Sequence, residues 1–238
     1  RCNRPLCCLA RSRDARALIV MPDDASAVKV AAVKSYGATI HTCAPGEAAR
    51  TAAVNALQAE QPRTFVHPYD NHHIISGQGT AALEMLEDYA GLDTLVAPIG
   101  GGGLLAGTAL AATTRNGIRC FGAEPAQADD AKRSFDAGRI IPVEHPETIA
   151  DGLRTSVGVR NFPIIREHVS DILTVSEDGI VAAMRLIWER MKLVVEPSGA
   201  VPLAALLENG APIETQSIGL IISGGNTDLD ALPWLKRR

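Results

Sequence analysis

The chain has 238 residues, 46% of them hydrophobic and 21% charged, with Lys+Arg 23 against Asp+Glu 27 and a formal charge of −4 at pH 7. That apolar fraction is ordinary for a globular protein and excludes wholesale disorder and collagen-like structure. Aromatic residues make up only 4% and no basic stripe offsets the acidic balance, so base-stacking platforms and phosphate-backbone binding lack support and no nucleic-acid partner is expected.

The first eleven residues hold three of the five cysteines (Cys2, Cys7, Cys8) and have no clean periodicity. The chain opens on Arg1 rather than Met, so we expect an N-terminally incomplete sequence. From Arg16 the pattern becomes regular. RALIVM (16–21) predicts a strand ending at Pro22. A helix is predicted over 25–36, with Val28, Ala32 and Tyr36 at four-residue spacing, stopped by Gly37. A strand over 38–43, a helix over 47–60 and a short strand over 64–66 follow. The stretch 68–71 (PYDN) marks a boundary between two lobes.

Beyond it we predict a helix over 74–89, a strand over 94–98, a helix over 104–116 and a strand over 119–124. A less regular middle leads to a helix over 177–191 capped by Ser176, with Met184, Leu186, Ile187 and Met191 as its core residues. A helix over 199–209 and a strand over 217–222 complete the pattern. Strands separated by such helices indicate βαβ units and a mostly parallel sheet. Apolar runs such as LIVM and GLII suit a sheet covered on both faces.

The longest uncharged run, 94–114, contains Pro98 and five glycines, which would destabilise a lipid-facing helix, so no membrane association is expected. Five cysteines without a C-x-x-C pair argue against a disulfide framework or zinc site and for reduced thiols in a cytoplasmic protein.

Two motifs carry chemistry. In PIGGGGLLAG (98–107) a strand enters four glycines and a helix leaves them. Main-chain amides at such a turn and at the helix N-terminus form an anion seat, with phosphate the expected guest. Gly101-x-Gly103-x-x-Ala106 also fits the dinucleotide pattern, with Glu124 about 20 residues on where a ribose carboxylate would sit. A non-catalytic phosphate- or dinucleotide-binding protein therefore remains an alternative. In IISGGNTDLD (221–230) a strand delivers Ser223 to its end, where open α/β sheets place ligand groups. Read alone, Ser223 serves equally well as a turn residue.

Taken together, HPYDN (67–71), ISGQGTAALEMLE (75–87), VAPIGGGGLLAG (96–107), AEPAQADDA (123–131), ETIADGLRTSVG (147–158), WERMKLVVEPSGA (188–200) and IISGGNTDL (221–229) resemble a known family. It is that of the fold-type II pyridoxal-phosphate (PLP) enzymes, in the branch of serine racemase and the serine/threonine dehydratases (threonine ammonia-lyases). The resemblance implies an α/β, tryptophan synthase beta-like architecture of two lobes with mostly parallel sheets, the first strands missing. Residues 1–69 would be a remnant of the smaller lobe and 70–238 the larger, PLP-binding lobe.

The same resemblance assigns the PLP phosphate to Gly100, Gly101, Gly102, Gly103 and Leu104, and the pyridine nitrogen to Ser223. A hydroxyl partner leaves that nitrogen unprotonated and the cofactor a weaker electron sink, which suits elimination of a β-hydroxyl. It also assigns a divalent cation, Mg2+ or Ca2+, to Glu124, the Ala128 carbonyl and Asp130, a donor set that suits a hard ion. On spacing alone Asp129 and Asp130 serve as well at the start of a helix. Glu196 resembles a position near the cofactor ring, and Tyr69 one lining the pocket. His67 is read as structural, and His72 and His73 as surface residues.

The implied reaction is deamination of L-serine, L-threonine or a hydroxyaspartate to a 2-oxo acid and ammonia, or racemisation of serine, by a homodimer acting on a small amino-acid substrate. The family holds PLP as a Schiff base on a lysine in a segment like S-F-K-x-R-G. The five lysines here (Lys29, Lys34, Lys132, Lys192, Lys236) lie in no such segment. The S-x-G-N-H-(A/G)-Q-A loop with its catalytic serine is also absent. No catalytic residue is therefore assigned, and this chain alone is expected to be inactive.

Overall fold

The computed structural model describes residues 3–142, 144, 146–210 and 216–235. It divides into two compact units, Arg1–Pro68 and Tyr69–Arg238.

The first unit contains α1 (Asn3–Ser12), β1 (Leu18–Pro22), α2 (Ala27–Ser35), β2 (Thr39–Cys43) and α3 (Glu47–Glu60). The strands β1 and β2 pair in parallel, with Leu18 opposite Thr39 and Pro22 opposite Cys43. Alternation along β1 buries Ile19 and Met21, which pack with Cys7 and Val33. Helix α1 forms where the sequence shows no clean periodicity. Cys7, only 1% exposed, acts there as a small apolar residue on the buried face. The strand expected over 64–66 does not form. Three β-prone residues make a strand only beside a partner, and Phe65 is 50% exposed.

The second unit contains α4 (His72–Asp88), β3 (Thr94–Pro98), α5 (Gly103–Ala112), β4 (Arg119–Pro125), α6 (Asp130–Ala137), α7 (Asn161–His168) and β5 (Asp171–Val175). It continues with α8 (Glu177–Leu186), α9 (Pro197–Asn209) and β6 (Ile218–Leu220). Its sheet has the order β5-β4-β3-β6, every pair parallel.

All five residues of β3 are buried. Leu95 and Ala97 join a core with residues of α4, α5 and α7 on one face, while Val96 joins residues of α8 and α9 on the other. Coverage on both faces is why the strand reads as a continuous apolar run. Helices α4 and α5 cross closely: a Cβ on Gly79 would lie 2.8 Å from the Gly107 carbonyl oxygen.

Several elements differ from expectation. The helix from 104 stops at Ala112, where the Thr113 and Thr114 hydroxyls donate to the carbonyls of Leu110 and Ala111. Such local bonds compete with helix continuation. Helix α8 is capped by Ser176, whose Oγ accepts the Gly179 N–H, but gives way to a π-turn over Ile187–Met191. Met184 and Ile187 are buried, whereas Leu186 and Met191 are 39% and 55% exposed. Leu186 lies two residues past Met184, on the opposite side of the helix, and the wider turn carries Met191 off the buried face. The irregular middle contains α6, α7 and β5, of eight, eight and five residues, too short for a clear periodic signal. No helix among the described residues is long and apolar enough to cross a membrane.

Candidate cofactor site

Three loops leave the C-terminal ends of adjacent parallel strands, where α/β sheets bind ligands. The loop after β3 carries the four glycines. Gly102 caps α5 in the left-handed region at φ +90°, where a side chain would be strained. A Cβ on Gly103 would lie 2.8 Å from the Tyr69 carbonyl oxygen, and one on Gly101 would overlap the Tyr69 ring. Tyr69 therefore packs on the glycine loop itself.

The carbonyl side of the loop is tied down. Gly101 O accepts the Gly158 N–H at 3.0 Å and Asn161 Nδ2 at 2.6 Å, and the Gly102 carbonyl receives the Ala106 N–H. The amides of Gly100 to Leu104 donate to no acceptor among the described residues. Unengaged amides at a helix start are what an anion seat requires.

The neighbouring strand β6 delivers Ser223. Ile221 N–H donates to Val96 O at 3.0 Å, so the chain leaves the sheet beside the strand that feeds the glycine loop. Ser223 Oγ is buried and has no hydrogen-bond partner among the described residues. The next residue is anchored by Glu196, whose N–H donates to Gly224 O at 3.0 Å and which is 3% exposed. Glu196 thus borders the Ser223 loop.

The loop after β4 carries the acidic group. Glu124, 1% exposed, accepts Lys132 N–H at 2.6 Å and Ala131 N–H at 3.2 Å. Asp130, equally buried, accepts Val157 N–H at 3.3 Å, and Ala128 is 2% exposed. Burial pushes the Glu124 carboxyl well above its usual range, with a smaller contribution from Asp130, and burial also raises Asp130 to about 7. Asp129 instead pairs at the surface with Arg133 at 2.7 Å. Both oxygens of Glu124 thus accept main-chain N–H groups from the start of α6. No cluster of three or more His, Cys, Asp or Glu side chains among the described residues is arranged to hold a metal.

His67 stacks edge-on with Phe65 at 5.8 Å, and His72 and His73 are exposed at the start of α4. Lys132 is paired with Asp171 (2.8 Å) and Asp136 (3.0 Å), and Lys192 Nζ donates to Glu189 O at 2.8 Å. Lys29 and Lys34 belong to α2, and Lys236 lies outside the described residues. Residues that sequence reasoning missed are Asn161 and the Asp70–Arg160 pair, which hold the glycine loop and Tyr69 from behind. Nothing in VRNFP (159–163) marks them beyond a proline in the first turn of α7.

A glycine turn with free amides beside a buried hydroxyl without a partner among the described residues, at the ends of parallel strands, defines a ligand site of the α/β class. The family profile described as "Pyridoxal-phosphate dependent enzyme" matches residues 5–224. The chain is 46% identical over 217 residues to the beta-hydroxyaspartate dehydratase of Paracoccus denitrificans, covering 91% of this chain and 69% of that protein. Among solved structures, maize serine racemase superposes with a TM-score of 0.92 at 41% identity, covering 96% of this chain and 71% of that one. The serine racemase of Dictyostelium discoideum gives 0.87 at 43% identity, covering 95% and 74%. A threonine deaminase from T.th. gives 0.88 at 45% identity, covering 95% and 75%. The chain belongs to the fold-type II PLP-dependent enzymes, in the serine racemase/threonine dehydratase family.

Proposed function

We propose that the unit beginning at Tyr69 binds PLP with its phosphate on the amides of Gly100, Gly101, Gly102, Gly103 and Leu104 and its pyridine nitrogen facing Ser223. The observation that carries this reading is the Ser223 hydroxyl, buried without a partner among the described residues. A buried hydroxyl left unpaired is costly, and a ring nitrogen would supply the missing bond. The glycine turn fits a dianionic phosphate by its free amides.

PLP, when bound, supplies the electron sink for bond cleavage at an amino-acid Cα. The residues of this chain hold the phosphate, keep the ring nitrogen opposite a hydroxyl and border the ring with Tyr69 and Glu196. This arrangement suits deaminating β-elimination of L-serine, L-threonine or a β-hydroxyaspartate, with serine racemisation as the related reaction.

The proposal extends to a divalent cation, Mg2+ or Ca2+, held by Glu124, the Ala128 carbonyl and Asp130. Two buried carboxylates on facing ends of β4 and α6 suit such an ion, with water completing its shell. Residues 1–69 then belong to the smaller lobe and 70–238 to the larger, in a homodimer working in the cytoplasm. None of the five lysines lies in a segment like the family's Schiff-base segment, so on this reading the 238 residues by themselves bind PLP without turning over. Calorimetric titration with PLP and with NAD, alongside a 2-oxo acid assay on L-serine, L-threonine and β-hydroxyaspartate, tests this. PLP binding without turnover supports the reading. NAD binding without PLP binding overturns it, and turnover by this chain alone overturns its last part.

A further inference from the structure

Asn161 opens α7 and is fully buried. Its Nδ2 lies 2.6 Å from Gly101 O and 3.3 Å from Tyr69 O. Two carbonyl acceptors fix the orientation of the amide, because an oxygen in that place would face two other oxygens. Its own Oδ1 is buried with no donor among the described residues. A side chain kept only to fill space would not leave a polar atom orphaned, and an apolar residue of similar volume would avoid that loss.

The grip has a geometric consequence. A trans peptide is planar, so its carbonyl and its N–H point in opposite directions. Holding Gly101 O back against α7 therefore turns the Gly102 N–H the other way, toward the amide side of the loop. Gly158 N–H holds the same oxygen at 3.0 Å. The Tyr69–Asp70 stretch is fastened by the residue before Asn161, with Asp70 Oδ1 accepting Arg160 N–H at 2.8 Å and Asp70 Oδ2 lying 3.4 Å from Arg160 Nη1.

We propose that Asn161 is a positioning residue for the cofactor phosphate, fixing the Gly101–Gly102 peptide so that the Gly102 amide faces the anion. This rests on the reading of Gly100 to Leu104 as the phosphate seat. The substitution Asn161→Asp keeps shape but replaces the donor with an oxygen facing two carbonyls. Asn161→Ala removes the donor altogether.

The test is the ratio of PLP to pyridoxal affinity, measured by calorimetry on the full chain and both variants, with far-UV circular dichroism as a check on folding. Pyridoxal lacks the phosphate and reports the ring pocket alone. The expected result is a fall in the ratio of about tenfold or more in both variants, the size of one lost oriented hydrogen bond to an anion. Pyridoxal affinity should change less than about threefold, well under one such bond. An unchanged ratio in folded variants overturns the role of Asn161 while leaving the phosphate seat intact. Joint loss of both ligands with loss of the dichroism signal assigns Asn161 a purely structural role and overturns it too. A wild-type chain that binds PLP no tighter than pyridoxal overturns the phosphate seat itself.

Discussion

Replacing Ser223 with alanine should move stability and cofactor affinity in opposite directions. Ser223 Oγ is buried and lacks a partner among the described residues of the ligand-free chain. Burying a hydroxyl without a hydrogen bond costs about 1–3 kcal/mol, and alanine removes that penalty while giving up few contacts. The ligand-free variant should therefore gain about 1 kcal/mol, a rise of about 2–4 °C in Tm for a chain of this size. With PLP present the same hydroxyl meets the ring nitrogen, and its removal should weaken binding about tenfold, the equivalent of about 1.4 kcal/mol. Differential scanning calorimetry of the apo chain and PLP titration by calorimetry read the two effects separately. An apo variant that melts lower than wild type, with PLP affinity unchanged, would refute the reasoning, because the hydroxyl would then have a structural partner and no ligand.

Other consequences follow from buried groups. Asp130 has a pKa of about 7 in the folded chain against an ordinary value of 3.8, so the folded state keeps a proton that the unfolded chain has released between those values. Its stabilisation is full below about pH 4 and is lost as pH rises to about 7, by up to about 4 kcal/mol at 1.36 kcal/mol per unit. Cation-free Tm should fall over that window, with the raised Glu124 carboxyl acting in the same direction, and Asp130→Asn should lessen the fall; a wild-type profile that stays level contradicts this. Cys120 is 1% exposed with its thiol pushed up to about 12 by burial, while Cys8 is exposed. Iodoacetamide on the native chain should label Cys8 and spare Cys120 until denaturant is added, as mass spectrometry will report. Gly102→Ala places a Cβ in the left-handed region at 2.9 Å from Ile165 Cδ1 and 3.1 Å from Asn161 Cβ. It should destabilise the chain by about 2–5 kcal/mol, the sum of backbone strain and overpacking, measured by urea titration.

The parallel sheet is legible in the sequence because β3 and β4 are buried on both faces and the segments before them carry strong breaks at Gly91 and Gly117. The glycine turn is legible because four adjacent glycines exceed what a tight turn needs, whereas Ser223, which read alone serves equally well as a turn residue, is singled out by the family resemblance. Helix α1 is hidden because its stretch shows no clean periodicity, although Cys7 packs there as a small apolar residue. The strand expected over 64–66 rests on propensity, which says nothing about whether a second strand lies alongside. Met191 falls in the core by α-helical spacing, and a π-turn breaks that spacing. Asn161 leaves no trace because its work is done on main-chain carbonyls, and those acceptors are the same in every sequence. The dinucleotide reading of Glu124 rests on spacing from the glycines, whereas the carboxylate turns to the amides of Ala131 and Lys132.

A crystal structure of the chain grown with PLP tests the central claim most directly. The account predicts phosphate density within hydrogen-bonding distance of the Gly100–Leu104 amides and the pyridine nitrogen opposite Ser223 Oγ, with one cofactor spanning the ends of β3 and β6. Phosphate bound elsewhere, or a ring nitrogen beyond hydrogen-bond reach of Ser223, would contradict it.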